Sequence, residues 1–189
     1  MSGLRRRAMV AHCSVGLLAG WSSGVLAAAV ESPVILIVGD SLSAEYGLKA
    51  GDGWVALLQK RLAEQKKPHR VVNASISGDT TAGGRSRLPA ALRTHKPAIV
   101  VLELGGNDAL RGLPLASTRD NLAAMAKAAQ AAGAKVIVVG MQVPPNYGSA
   151  YARDFEAVFT AVARDVKASL VPFLLKGVAD RPDAMDWFQ

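Results

Sequence analysis

Three short segments carry the residue types that acyl-transfer chemistry needs: Gly39-Asp40-Ser41, Ser77-Gly78-Asp79 and Gly105-Gly106-Asn107-Asp108. A serine hydroxyl can attack an ester carbon, and amide donors can hold the negative charge that develops on the carbonyl oxygen. Ser41 supplies the hydroxyl. The backbone N–H groups of Ser41 and Gly78 and the side-chain amide of Asn107 are candidate donors. Taken singly, each segment is also an ordinary turn, because Gly, Asn, Asp and Ser all favour turns. Their joint significance depends on whether the fold brings them to one place.

The flanking sequence says that it does. Val34-Ile35-Leu36-Ile37-Val38 runs straight into Gly39-Asp40-Ser41, and Ala98-Ile99-Val100-Val101-Leu102-Glu103-Leu104 runs into Gly105-Gly106-Asn107. Continuous apolar runs of this kind predict strands buried on both faces, as in a parallel sheet covered by helices. Gly39 is expected to permit a sharp turn that lifts Ser41 to the sheet's rim. Arg70-Val71-Val72-Asn73 reads as a short strand before the Gly78 loop, Lys135–Val139 as a third long strand, and Leu170–Phe173 as a last short one. Helices are expected at residues 53–67, 84–94, up to about 132 after a cap at Ser117 or Thr118, and about 150–168. Alternating strands and helices predict a three-layer α/β/α, flavodoxin-like open parallel sheet of about five strands. All three candidate segments then follow the carboxyl ends of strands, where open α/β sheets bind ligands.

Composition narrows the function. Half of the 189 residues are hydrophobic and 20% are charged, so a folded core is expected. Of 22 basic residues, Arg5, Arg6 and Arg7 stand together before an apolar stretch that ends in Ala27-Ala28-Ala29. That order predicts a signal peptide over residues 1–29, a domain over 30–189, and a periplasmic or secreted location. Gly20, Ser22, Ser23 and Gly24 weaken the stretch as a membrane span, so no stable membrane insertion is expected. Without the signal, 19 basic residues face 15 acidic ones, a balance too mild to mark a nucleic-acid binder. Cys13, the single cysteine, lies in the signal, which excludes a cysteine nucleophile or zinc–thiolate site from the remainder. No phosphate-cradling G-x-G-x-x-G or Walker loop follows the first strand, which argues against a nucleotide binder.

Gly39-Asp40-Ser41-Leu42-Ser43-Ala44, Asn73-Ala74-Ser75-Ile76-Ser77-Gly78-Asp79-Thr80 and Glu103-Leu104-Gly105-Gly106-Asn107-Asp108 resemble the first three blocks of the SGNH (GDSL) hydrolases. Leu110-Arg111-Gly112 and Pro144-Pro145-Asn146-Tyr147-Gly148 resemble the acyl-CoA thioesterase, protease I, lysophospholipase and arylesterase branch of that family. The resemblance implies a serine nucleophile at Ser41 and an oxyanion hole from Ser41, Gly78 and Asn107. It further implies a small acyl ester or thioester substrate, no cofactor and no metal, and an acyl site lined by Pro144, Pro145, Asn146 and Tyr147. The family's last block, Asp-x-x-His-Pro, is not found; Gln189 stands where one alignment would put the histidine. His69 and His95 each precede a strand, roughly 13 to 20 Å from the rim at the usual rise per residue. A chain cut before the catalytic Asp and His, with weak turnover and without the final helix, is therefore expected, along with exposed sheet surface that favours aggregation. The alternative is a non-catalytic lipid- or acyl-binding remnant of the same fold.

Overall fold

The computed structural model describes residues 32–179. The expected signal segment and the chain from residue 180 onward lie outside the described residues. Five strands alternate with helices: β1 (Val34–Gly39), α1 (Trp54–Glu64), β2 (Arg70–Asn73), α2 (Thr81–His95), β3 (Ile99–Glu103), α3 (Gly106–Leu110), α4 (Leu115–Ala131), β4 (Lys135–Val139), α5 (Ser149–Asp165) and β5 (Ser169–Val171). The strands form one parallel sheet in the order β2-β1-β3-β4-β5, as the alternating pattern predicts.

Side chains alternate across the sheet and divide the core in two. Leu36, Val38, Val100, Leu102, Val136 and Val138 face α2, α4 and α5, where Leu88, Leu122, Met125, Phe155 and Phe159 are almost wholly buried. Ile35, Ile37, Val101 and Val139 face the other way, against Val55, Trp54 and Leu62 of α1. Ile99 and Ile137 on this second face are only partly buried. Every residue of β1 is buried, so its continuous apolar run is explained by cover on both sides.

The departures from the sequence-based expectation have physical causes. The second helix begins at Thr81 rather than at residue 84, with the Thr80 hydroxyl accepting from Gly83 N–H. Gly83 and Gly84 look like helix breakers, but a Cβ at Gly83 would collide with the Asp79 carboxylate and one at Gly84 with Leu104. The fourth helix starts at Leu115 after Pro114, and neither Ser117 nor Thr118 caps it. Thr118 is instead buried, its hydroxyl 3.5 Å from the Asp108 carboxylate. Gly105-Gly106-Asn107-Asp108, expected as a turn, instead caps and begins a helix, α3.

Phe155 is fully buried and meets Phe159 edge-on, with ring centroids 5.1 Å apart. Phe155→Ala is expected to cost about 3–5 kcal/mol. Urea denaturation would measure this, and a loss below about 1 kcal/mol would show that α5 is not clamped to the sheet as described.

Candidate active site

The parallel register pairs Gly39, the last residue of β1, with Glu103, the last of β3. This places a carboxylate directly under the first loop. Glu103 Oε2 accepts from the Ser43 hydroxyl at 2.5 Å and from Asp40 N–H at 3.3 Å, and Trp54 Nε1 donates to Ser43 Oγ at 3.1 Å. Gly39 is required for this approach, because a Cβ there would lie 2.5 Å from Glu103 Oε2. The expected turn follows Gly39 directly, but the φ of Gly39 is not in the left-handed region, and what the glycine provides is room for Glu103.

Above Glu103 the chain winds around Asp40. The Asp40 carbonyl accepts from Ser43 and Ala44 N–H, and its carboxylate accepts from Leu42 N–H at 3.1 Å. The other carboxylate oxygen accepts from Asn107 Nδ2 at 3.1 Å. Ser41 is half-buried in this turn and lines a cavity. Neither Ser41 N–H nor Gly78 N–H donates to any described residue. Asn107 comes from the first turn of α3, and its amide has a second hydrogen that Asp40 does not use.

The Gly78 loop is tied to both neighbours. Ile76 N–H donates to the Gly39 carbonyl at 3.1 Å, and Arg111 Nη2 donates to the Gly78 carbonyl at 2.7 Å. Gly78 has φ of +76°, a conformation that glycine adopts without strain. Asp108, next to Asn107, is buried and accepts from both Thr81 N–H and the Thr81 hydroxyl, locking α3 to the start of α2.

Ser41 and Asn107 open onto a cavity of about 240 Å³, mostly apolar, whose walls include Leu110, Met141, Pro144 and Leu174. Of the four residues expected at an acyl site, Pro144 lines it. Pro145, Asn146 and Tyr147 form a 3₁₀ turn outside the lining, where Tyr147 packs on Tyr151. Met141, Leu110 and Leu174 were missed; the signal for Met141 and Leu174 was an apolar residue shortly past a strand's carboxyl end, whereas Leu110 is the last residue of α3. His95 lies with Ser32, Val34 and Arg70 at the amino edge of the sheet, and His69 immediately precedes β2. Neither histidine reaches the rim.

Two acids buried together perturb each other. Burial, then the Asp40 charge, push the Glu103 carboxyl up to about 8, against hydrogen bonds from Ser43 and Asp40 N–H that favour the anion. Burial also raises Asp40, opposed by its bonds from Leu42 and Asn107. Between the ordinary glutamate value of 4.5 and about 8, the folded chain therefore holds a proton on Glu103 that the unfolded chain has lost. Stability conferred by that proton is present at low pH and lost as pH rises through this window. Glu103→Gln is expected to flatten the fall of unfolding free energy between pH 4.5 and 8, measured by urea titration at several pH values. Parallel curves for the two proteins would contradict the assignment.

Residues 37–189 match the GDSL-like lipase/acylhydrolase family. The chain is 60% identical over 144 residues to the esterase TesA of Pseudomonas aeruginosa, covering 76% of this chain and 72% of that protein. It is 40% identical over 157 residues to thioesterase 1/protease 1/lysophospholipase L1 of Escherichia coli, covering 83% and 74%. The solved structure of AlinE4, an SGNH-hydrolase family esterase, superposes with a TM-score of 0.78 at 43% identity, covering 82% of this chain and 84% of that one. With Ser41 and Asn107 lining one cavity at the carboxyl edge of a parallel α/β/α sheet, the chain belongs to the GDSL-like (SGNH) lipase/acylhydrolase family, whose members hydrolyse esters and thioesters.

Proposed function

We propose that Ser41 is the nucleophile of a carboxylic ester or thioester hydrolase, with Ser41 N–H, Gly78 N–H and the Asn107 amide as its oxyanion hole. The observation that carries this reading is the Asp40 carboxylate. It binds Leu42 N–H and one Asn107 hydrogen, while Ser41 N–H and the other Asn107 hydrogen stay unengaged by described residues and both residues line the same cavity. Ser41 Oγ attacks the carbonyl carbon, the carbonyl π pair moves to oxygen, and the three donors receive that charge. Collapse of the tetrahedral adduct expels an alcohol or thiol, and water then hydrolyses the acyl-serine. None of these steps calls for a metal or an organic cofactor.

The apolar cavity suits an acyl chain, and the relatives' names point to lysophospholipid, aryl-ester or thioester substrates, an acyl-CoA-type thioester being our expectation from the family resemblance. The Arg5–Arg7 and Ala27–Ala29 pattern supports export to the periplasm or beyond. Among the described residues no helix is long and apolar enough to cross a membrane.

In this family a histidine takes the serine's proton. The two histidines among the described residues both lie far from the rim, so these 189 residues alone are proposed to turn over slowly, with the proton passing to solvent. Triads stripped of a member keep a residual rate that comes from the oxyanion hole and binding. The same observation favours a second reading, an acyl-binding domain without turnover.

Hydrolysis of a p-nitrophenyl acyl ester and labelling by a fluorophosphonate separate the two. A slow rate and a label that both vanish in Ser41→Ala support the hydrolase, with Asn107→Ala losing about 10²–10³-fold. A rate unchanged in Ser41→Ala, or acyl-ligand binding with neither rate nor label, overturns it. Appending a relative's Asp-x-x-His-Pro segment is expected to raise the rate by about 10³-fold or more; no gain would refute the missing-base account.

A further inference from the structure

We propose that Arg87, on α2 and outside the cavity, is a positioning residue that sets the spacing between the Ser41 and Gly78 N–H groups. This rests on the reading of those groups as oxyanion donors. Arg87 Nε donates to Asp79 Oδ2 at 2.7 Å, Nη1 donates to the Ala74 carbonyl, and Nη2 donates to the Gly39 carbonyl at 3.3 Å. Gly39 lies two residues before Ser41, and Ala74 and Asp79 bracket Gly78 in the second loop. One planar guanidinium therefore spans both loops that supply backbone donors, and its fork allows little freedom in how they are held apart.

The partners are themselves secured. Asp79 Oδ1 accepts from Thr80 N–H at 3.0 Å, and the carboxylate rests where the missing Gly83 side chain leaves space. The Gly39 carbonyl also accepts from Ile76 N–H, so loop and arginine share that acceptor. With side-chain exposures of 22% and 12%, Arg87 and Asp79 form a sheltered pair rather than a solvated surface one. An oxyanion must lie within about 2.7–3.1 Å of every donor at once, so a shift of one loop against the other removes a bond from the transition state. The Arg111 side chain donates to the Gly78 carbonyl and, among the described residues, makes no bond to the first loop.

A lysine at position 87 keeps the charge but not the fork. Arg87→Lys is expected to lower kcat of the Ser41-dependent hydrolysis by about 10²-fold, the scale of a 1 Å misplacement, with KM unchanged because the cavity wall is untouched. Gly83→Ala, which displaces Asp79, should give the same split. Methylguanidinium should restore part of the rate to Arg87→Ala, which a merely structural role would not allow. Wild-type kcat in Arg87→Lys, or a raised KM alone, overturns the proposal. Ser41→Ala measured in parallel identifies failure of the hydrolase reading itself. A crystal structure of Arg87→Lys then tests the inference without activity: the Ser41 N to Gly78 N separation should change by more than about 0.5 Å. An unchanged separation overturns it.

Discussion

A carboxylate with almost no exposure has to be satisfied by donors, and Asp40 imposes that requirement on everything around it. Its two oxygens take Leu42 N–H and the Asn107 amide, which joins the loop after β1 to the helix after β3. The bond to Leu42 closes the turn that carries Ser41. The bond to Asn107 uses one amide hydrogen and aims the other. Beneath it, Glu103 holds Asp40 N–H and Ser43, so a second buried acid stabilises the turn from below. Burial first, and the neighbouring Asp40 charge second, raise the Glu103 carboxyl to about 8, so the site favours a proton on Glu103 at neutral pH.

The sheet makes this possible. In the order β2-β1-β3-β4-β5 the chain reverses direction of travel between β1 and β3, which is where crevices open in such sheets. Ser41 follows β1, Asn107 follows β3 and Met141 follows β4, so nucleophile, amide and apolar wall come from three adjacent strand ends. The tightly packed face under α2, α4 and α5 holds those ends at fixed separation. Arg87 reaches from α2 to the loops after β1 and β2, so the same packing is coupled to the backbone donors.

Much of this was legible in the sequence because the strands are apolar runs and the chemistry follows them. β1, β3 and β4 and the parallel sheet could be read from periodicity and turn composition, whereas Ser41, Gly78 and Asn107 stood out from ordinary turns only through the family resemblance. What could not be read was set by tertiary contact. Glu103 in Leu102-Glu103-Leu104 is an acid inside a buried run, a signal easily passed over as the strand's end. Gly39 looked like a turn residue, but the reason for it is a side chain 64 positions away. Gly83 and Gly84 hid the start of α2 because the contacts that demand glycine come from Asp79 and Leu104. Thr118 looked like a helix cap; its partner, Asp108, explains why it is buried instead. The Pro144–Tyr147 segment carried a family resemblance, yet a 3₁₀ turn directs only its first residue into the cavity wall.

The central claim is that Asp40 holds Asn107 so that its free amide hydrogen, Ser41 N–H and Gly78 N–H converge on one point. A crystal structure of the chain phosphonylated on Ser41 tests it most directly. The account predicts one phosphonyl oxygen within about 2.7–3.1 Å of Ser41 N, Gly78 N and Asn107 Nδ2, with the Asn107–Asp40 bond intact. A phosphonyl oxygen directed to solvent, or an Asn107 amide turned away from Asp40 to reach it, would contradict the account.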